Sequence, residues 1–196
     1  MKIVGKRFYL RDPDKVAKSL LGKILVRKIG NKVLSGKIVE TEAYFGKEDP
    51  ASRACPLNPK YNNPKYVVKA LYGELGRSLI YMVHGNWLFN VIAHKRKKVG
   101  GVLIRAIEPL KGIEIMLKNR KVKKIFKLTN GPGKWTQAFR INFKQNGIDL
   151  TDPKSEIIIC KNGEKFEICS SKRIGVWKDL KINLRFFIKG NKFVSK

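Results

Sequence analysis

Apolar positions recur along the chain in short runs, and each run ends on its own turn signal. "DPDKVAKSLLG", Asp12 to Gly22, carries Val16, Leu20 and Leu21 on one helical face. Asp12 suits the N-cap, Pro13 the first helical position and Gly22 the stop. "KILVRKI" then alternates as a half-buried strand does. "GNKV" turns the chain and "VLSGKIVETEAYF" forms a second strand, so an antiparallel pair is predicted over residues 23–45. "RSLIYMVHGNWLFNVIAH" reads as two strands joined near His84, Gly85 and Asn86. "GGVLIRAIEPL" is a further strand, expected to end at Pro109.

Helical signals return later in the chain. "KGIEIMLKNRKVKK" is expected to form a cationic amphipathic helix, and "NGPGKWTQAFRI" a turn and then a helix from about Pro132. "EIIICKNGEKFEIC" centres on Asn162-Gly163, a two-residue hairpin signal, and "LRFFIKG" is a last strand. Residues 46–76 differ in character: Pro50, Pro56, Pro59 and Pro64, the consecutive Asn62 and Asn63, and many basic residues predict loops with one short helix near "KYVVKALYG". With no repeat and no linker, residues 1–196 are expected to form a single α+β domain, a curved, mostly antiparallel sheet flanked by helices.

Charge changes the picture. Lys and Arg number 43 against 15 Asp and Glu, a net of +28, while 43% of residues are hydrophobic. The apolar fraction supports a core, and the unbalanced charge points to an anionic partner, nucleic acid foremost. No apolar run is long enough for a membrane span, and residues 1–15 lack the pattern of a secretory leader. A soluble protein of the cytoplasm is expected, associated with the nucleoid, or with the nucleus in a eukaryote. Cys55, Cys160 and Cys169 make neither a paired framework nor a C-x-x-C, so no disulfide and no metal site are expected. The predicted hairpin register would hold the sulfurs of Cys160 and Cys169 on the order of 13 Å apart.

Against this background "KIVETEAYFG" stands out, because two carboxylates sit two residues apart in a strand of a cationic protein. With Val39 and Thr41 turned to the core, Glu40, Glu42 and Tyr44 share the other side. A carboxylate repels phosphate, so Glu42 beside Tyr44 suits chemistry at a cationic or electron-poor centre. A structural charge is the reading for Glu40.

These residues, with "FYLRDPDKVAKSLLGKILVRK", "GVLIRAIEPLKG", "NGPGKWTQAF", "RIGV" and "LRFFIKG", strongly resemble the alkyladenine (3-methyladenine) DNA glycosylase family in block order and spacing. The resemblance implies a monofunctional DNA repair enzyme acting on double-stranded DNA. It would flip a damaged purine from the duplex and hydrolyse its N-glycosidic bond, with no cofactor and as a monomer. 3-Methyladenine, 7-methylguanine and hypoxanthine are the implied substrates. Glu42 matches the catalytic glutamate and Arg105 the arginine that orients it. Tyr44 and Tyr81 match aromatics on the two faces of the flipped base, and Asn90 the asparagine that screens exocyclic groups. Arg53 occupies a slot where the family commonly has histidine. His84 occupies that of a tyrosine wedge filling the vacated stack. The turn from Gly85 to Asn90 is one residue shorter than usual, and the loop from Arg53 to Tyr81 is longer, so His84, Trp87 and Asn86 all stay candidates for the wedge. Lys134 and the amides at the start of the "GPGK" helix suit a phosphate. The rival reading is a non-catalytic basic nucleic-acid-binding protein, which has no need of Glu42.

Overall fold

The structure, a computed structural model, describes residues 2–61 and 64–195; Asn62 and Asn63 lie outside the described residues. Among the described residues, four α-helices and eight strands form a mixed α+β fold around one antiparallel sheet, as the sequence predicts. The elements are α1 (Pro13–Leu20), β1 (Ile24–Ile29), β2 (Lys32–Tyr44), α2 (Lys65–Leu71), β3 (Ser78–Val83), β4 (Asn86–Ile92) and β5 (Gly101–Lys111). There follow α3 (Ile113–Arg120), α4 (Pro132–Ala138), β6 (Ile157–Cys160), β7 (Ile168–Ser171) and β8 (Arg185–Ile188).

The strand order is β3-β4-β5-β2-β1-β6, and the β7–β8 ribbon joins it through β2. Thirteen residues long, β2 is the spine. Its first half pairs with β1, and Glu40–Glu42 pair with β8. β5 runs along its other edge.

Two irregularities in the β2–β5 pairing set the site. Ile38 faces Ile107 and Glu40 faces Ala106, so Val39 is an extra residue on β2; Thr41 then faces Ile104, so Arg105 is an extra residue on β5. Bulges re-aim side chains in this way. Before Val39, the even-numbered Leu34 and Ile38 enter the main core; beyond it the odd-numbered Ala43 does, while Thr41 donates from Oγ1 to the Ala17 carbonyl of α1. The face of the strand therefore changes at the bulge, and Glu40, Glu42 and Tyr44 are left to the other side.

Several expectations need correction. β5 continues through Pro109 to Lys111. A proline is tolerated there because β4 pairs only with Gly101–Leu103, which leaves that stretch of β5 without a second neighbour. Opposite it, Gly36 is obligatory: a Cβ there would stand 2.2 Å from Ile107 Cγ2. β1 is not half-buried, since Ile24–Arg27 are all covered between β2 and β6. α3 ends at Arg120, where Lys121 turns left-handed (φ 51°), so the basic run beyond it is not helical.

The Asn162-Gly163 hairpin is absent. β6 pairs with β1 and β7 with β8, and residues 161–167 between them form no strand. All three cysteines are free, but the register argued for Cys160 and Cys169 does not exist. Asp12 takes the N-cap position without a side-chain cap and pairs instead with Lys95 at 2.7 Å.

Candidate active site

Residues 46–61 form no helix or strand and are ordered by successive backbone turns, from Asp49 N–H to the Gly46 carbonyl through Tyr61 N–H to the Asn58 carbonyl, and by side chains. Asp49 accepts from the amides of Phe45 (2.9 Å) and Ala51 (3.1 Å), and the Asn58 side chain donates to the Pro50 carbonyl at 3.1 Å. Arg173, wholly buried, anchors the segment. It bonds both Asp49 oxygens at 2.7 Å, donates to the Ala43 carbonyl and bonds Asp179. Its guanidinium carbon lies 4.6 Å from the centre of the Tyr44 ring. This buried Asp49–Arg173–Asp179 group covers one face of Tyr44 with a cation.

A pocket of about 660 Å³ opens beside it. Tyr44, Arg53, Tyr81, His84, Asn86, Arg105 and Lys134 all line it, so seven of the ten site candidates named from the sequence converge there. Asn58, Lys60, Trp177 and Ser195 line it too. Arg53, Lys60, Arg105 and Lys134 give it four cations, and no Asp or Glu is among its lining residues. Arg53 lies over Tyr81, with 5.0 Å from its guanidinium carbon to the ring centre.

Glu42 does not line the pocket but lies beneath it, with no exposed surface. Its Oε1 accepts from the Ile174 amide at 2.8 Å and faces Arg105 Nη1 at 3.2 Å; its Oε2 accepts from the Tyr44 hydroxyl at 2.8 Å. Burial pushes the carboxyl above its ordinary range, against the pull of Arg105, the Ile174 amide and the Tyr44 hydroxyl. On Arg105 burial works against the charge, but Glu42 and Glu40 outweigh it and hold the guanidinium protonated. Tyr44 is pushed well above the usual phenol range by burial and by the Glu42 charge, so it stays a donor. Among the described residues Oε2 has no second hydrogen-bond partner. An ionised Glu42 therefore keeps one lone pair for a proton while both its oxygens are held in place.

Glu40 has the surroundings of a structural charge. It is fully buried, and Arg105, Arg185 and Ser195 surround it.

Asn90 lies deeper than the pocket lining. It is buried, donates to the Leu79 carbonyl at 3.2 Å, and reaches a small cavity shared with Tyr44, Arg53 and Tyr81. Trp87 does not line the pocket. Its ring packs against Phe143 at 6.1 Å, while its strand neighbours Asn86 and Leu88 face the pocket, as alternation requires. His84 and Gly85 form the β3–β4 turn, both left-handed (φ 48° and 73°), and His84 is exposed.

The amides expected to be free at the "GPGK" helix are largely engaged. Pro132 has none, and the Lys134 and Trp135 amides both bond the Gly131 carbonyl at 3.1 Å. Lys134 itself reaches Asn130 Oδ1 at 3.1 Å from an exposed position.

Arg173, Ile174, Asp49, Arg185, Ser195 and Trp177 received no role from the sequence. Arg173 and Ile174 fall in "RIGV" and Arg185 in "LRFFIKG", blocks marked only by resemblance. Gly175 after Ile174 is left-handed (φ 72°), a turn that lets the Ile174 amide face a strand it does not pair with. No helix among the described residues is long and apolar enough to cross a membrane, and none of their His, Cys, Asp and Glu side chains group as a metal site would need.

The molecule is thus an α+β protein with a buried carboxylate held by an arginine under a pocket with cationic walls, an arrangement suited to acid–base work beside an anionic ligand. Residues 7–192 match the family model described as "Methylpurine-DNA glycosylase (MPG)". Three relatives bear the name "Putative 3-methyladenine DNA glycosylase". That of Francisella tularensis subsp. tularensis is 42% identical over 92% of both chains. That of Clostridium acetobutylicum is 42% identical over 100% of this chain and 98% of its own. That of Aeropyrum pernix is 37% identical over 100% and 94%. The chain belongs to the methylpurine-DNA glycosylase family.

Proposed function

We propose that the protein is a monofunctional DNA glycosylase that draws a damaged purine out of duplex DNA and hydrolyses its N-glycosidic bond. The carrying observation is Glu42: a buried carboxylate fixed by Arg105, Ile174 and Tyr44, with Oε2 left to take a proton. As the bond to the base breaks, the sugar gains oxocarbenium character, which a nearby carboxylate stabilises. The same carboxylate takes a proton from the attacking water, and Arg105 keeps it ionised and oriented. Tyr44 and Tyr81 give ring faces on which an extruded base stacks, worth about 1–3 kcal/mol each. Arg53 and Asn90 bound the base from the side. His84 stands where the strand gap would be, and Lys134 meets the phosphate backbone.

The relatives' name supports 3-methyladenine as a substrate. 7-Methylguanine belongs with it, because both lesions are cations and leave without much acid catalysis. Hypoxanthine, a neutral leaving group, needs more help at N7. The protein works on duplex DNA as a monomer and without a cofactor.

The test is release of free base from a duplex carrying a single lesion, by the parent protein and by Glu42→Gln. Release by the parent and not by the variant is the expected result; equal release by both would sink the assignment. The product should keep an intact abasic site, broken only by alkali or an added endonuclease. Efficient borohydride trapping of a protein–DNA adduct would instead reveal an amine nucleophile.

A further inference from the structure

Glu40 lies in the same strand as the catalytic carboxylate, is equally buried, and has no part in the chemistry above. Four short hydrogen bonds end on it. Oε1 accepts from Arg105 Nε (2.8 Å), Arg185 Nε (2.7 Å) and Ser195 Oγ (2.8 Å); Oε2 accepts from the Ser195 amide (2.7 Å). Ser195 belongs to the segment after β8, more than 150 residues from Glu40 in sequence. Arg185 Nη2 also donates to the Ser195 carbonyl at 2.9 Å, so amide, hydroxyl and carbonyl of this one residue are all engaged. The Ser195 hydroxyl accepts in addition from Arg105 Nη2 at 3.2 Å.

The guanidinium of Arg105 is therefore gripped at two of its three nitrogens. Glu40 holds Nε and Ser195 holds Nη2. The third, Nη1, faces Glu42 Oε1 at 3.2 Å. A planar fork with two nitrogens fixed has no freedom left to choose where the third points.

We propose that Ser195, acting with Glu40 and Arg185, is a positioning residue that aims Arg105 at the catalytic carboxylate. The inference rests on the glycosylase reading of the same pocket. Ser195 is buried yet lines that pocket, so its hydroxyl sits at the junction of the clasp and the site. A purely structural role would be met by the backbone amide and carbonyl, which already bond Glu40 and Arg185. The hydroxyl adds the grip on Arg105. Around Glu42 the charged and titratable groups are Arg105, Glu40, Tyr44 and Tyr81, with Arg185 and Arg173 one contact further. Of these, Arg105 exerts the largest pull toward the ionised form. Loosening it raises the pH at which Glu42 ionises.

Three proteins test this: the parent, Ser195→Ala and Ser195→Thr. Threonine keeps the hydroxyl and alanine does not, and neither removes a backbone bond. Single-turnover release from a lesion duplex at neutral pH should fall roughly tenfold in Ser195→Ala, the weight of one charge-assisted hydrogen bond, with lesion-duplex affinity unchanged. The acid limb of its pH–rate profile should move to higher pH, and Ser195→Thr should lie close to the parent. Carboxyl carbon-13 resonances provide a readout without DNA: Glu42 should titrate at higher pH in Ser195→Ala than in the parent. An unmoved Glu42 titration would overturn the proposal, as would equal slowing by alanine and threonine. If the parent releases no base while Ser195→Ala moves the Glu42 titration and Ser195→Thr does not, the glycosylase reading fails and the clasp stands.

Discussion

The floor and the rim of the pocket are built differently. At the floor, Glu40 and Glu42 are fully buried and Arg105 nearly so, and every oxygen of the two carboxylates has a partner within 2.8 Å. At the rim, His84, Asn86 and Lys134 are exposed. Asn86 bonds the neighbouring His84 carbonyl at 2.9 Å, and Lys134 bonds Asn130 within its own turn. Trp177 is 55% exposed and tied by one bond from its indole to the Pro50 carbonyl. Chemistry needs groups fixed within tenths of an ångström. A surface that meets DNA in many sequences needs charge and reach, and gains little from rigidity.

The contrast is broken most severely at Glu42. Glu42→Gln keeps the shape and removes the carboxylate proposed as the base, so single-turnover release should fall on the order of a thousandfold. Lesion-duplex binding should stay equal or tighten, since one negative charge near DNA is gone. Loss of binding in parallel with loss of rate would mean that Glu42 organises the pocket rather than reacting in it.

Glu40→Ala attacks the same floor through stability. It leaves Arg105 and Arg185 buried without their shared partner, and stripping one side of a buried ion pair costs about 3–5 kcal/mol. Urea unfolding should show that loss, and a change below about 1 kcal/mol would mean the two guanidinium groups find other partners.

Glu42 sharpens the comparison through pH. Because burial raises its carboxyl, the group is protonated, and inactive as a base, up to a pH above the ordinary carboxylate range. Release should therefore fall as pH falls through that raised value. The linked stability runs the other way: the folded state holds the proton better than the unfolded chain, so this contribution is present at low pH and is lost as pH rises through the folded value. Tyr44→Phe removes a hydrogen bond that favours the ionised form. Its acid limb should move to higher pH, and its rate at neutral pH should fall roughly fivefold. An unmoved limb would show that the Tyr44 hydroxyl does not act on Glu42.

The sequence revealed the floor better than its supports. The spacing of Glu40, Glu42 and Tyr44 in one strand is a period-2 fact, and it holds because the bulge at Val39 lies before all three. The four central strands were legible as short apolar runs between turn residues, though β1 is covered on both faces where alternation predicted one. Arg173, Arg185 and Ser195 were not, because the bonds that tie them to Asp49 and Glu40 span from 124 to 155 residues, and no periodicity crosses such distances. The Asn162-Gly163 hairpin failed for the related reason that local turn preference lost to pairing of β6 with β1, which covers Ile24 and Val26 together with Cys160. At the rim the sequence left three wedge candidates, and strand alternation separates them: Asn86 faces the pocket, whereas Trp87 packs on Phe143.

The smallest expected effect lies at the tip of the β3–β4 turn. His84 is exposed, and its left-handed backbone (φ 48°) projects it at the pocket mouth beside Gly85. A residue there can fill the space an extruded nucleotide leaves in the duplex stack, and imidazole covers less apolar area than a larger ring would. The contribution should be modest and confined to duplex DNA, since a single strand has no gap to fill. His84→Ala should weaken binding to a lesion duplex roughly threefold more than to the same lesion in single-stranded DNA. Alanine also tolerates a left-handed backbone poorly, so His84→Asn is the better-matched removal of the ring and should show the same selective loss on the duplex. His84→Tyr should recover or exceed the parent's duplex preference. Equal losses on duplex and single strand would remove His84 from the role, and the Asn86 side chain, on the pocket face of the same turn, would be substituted next and measured on the same two DNAs.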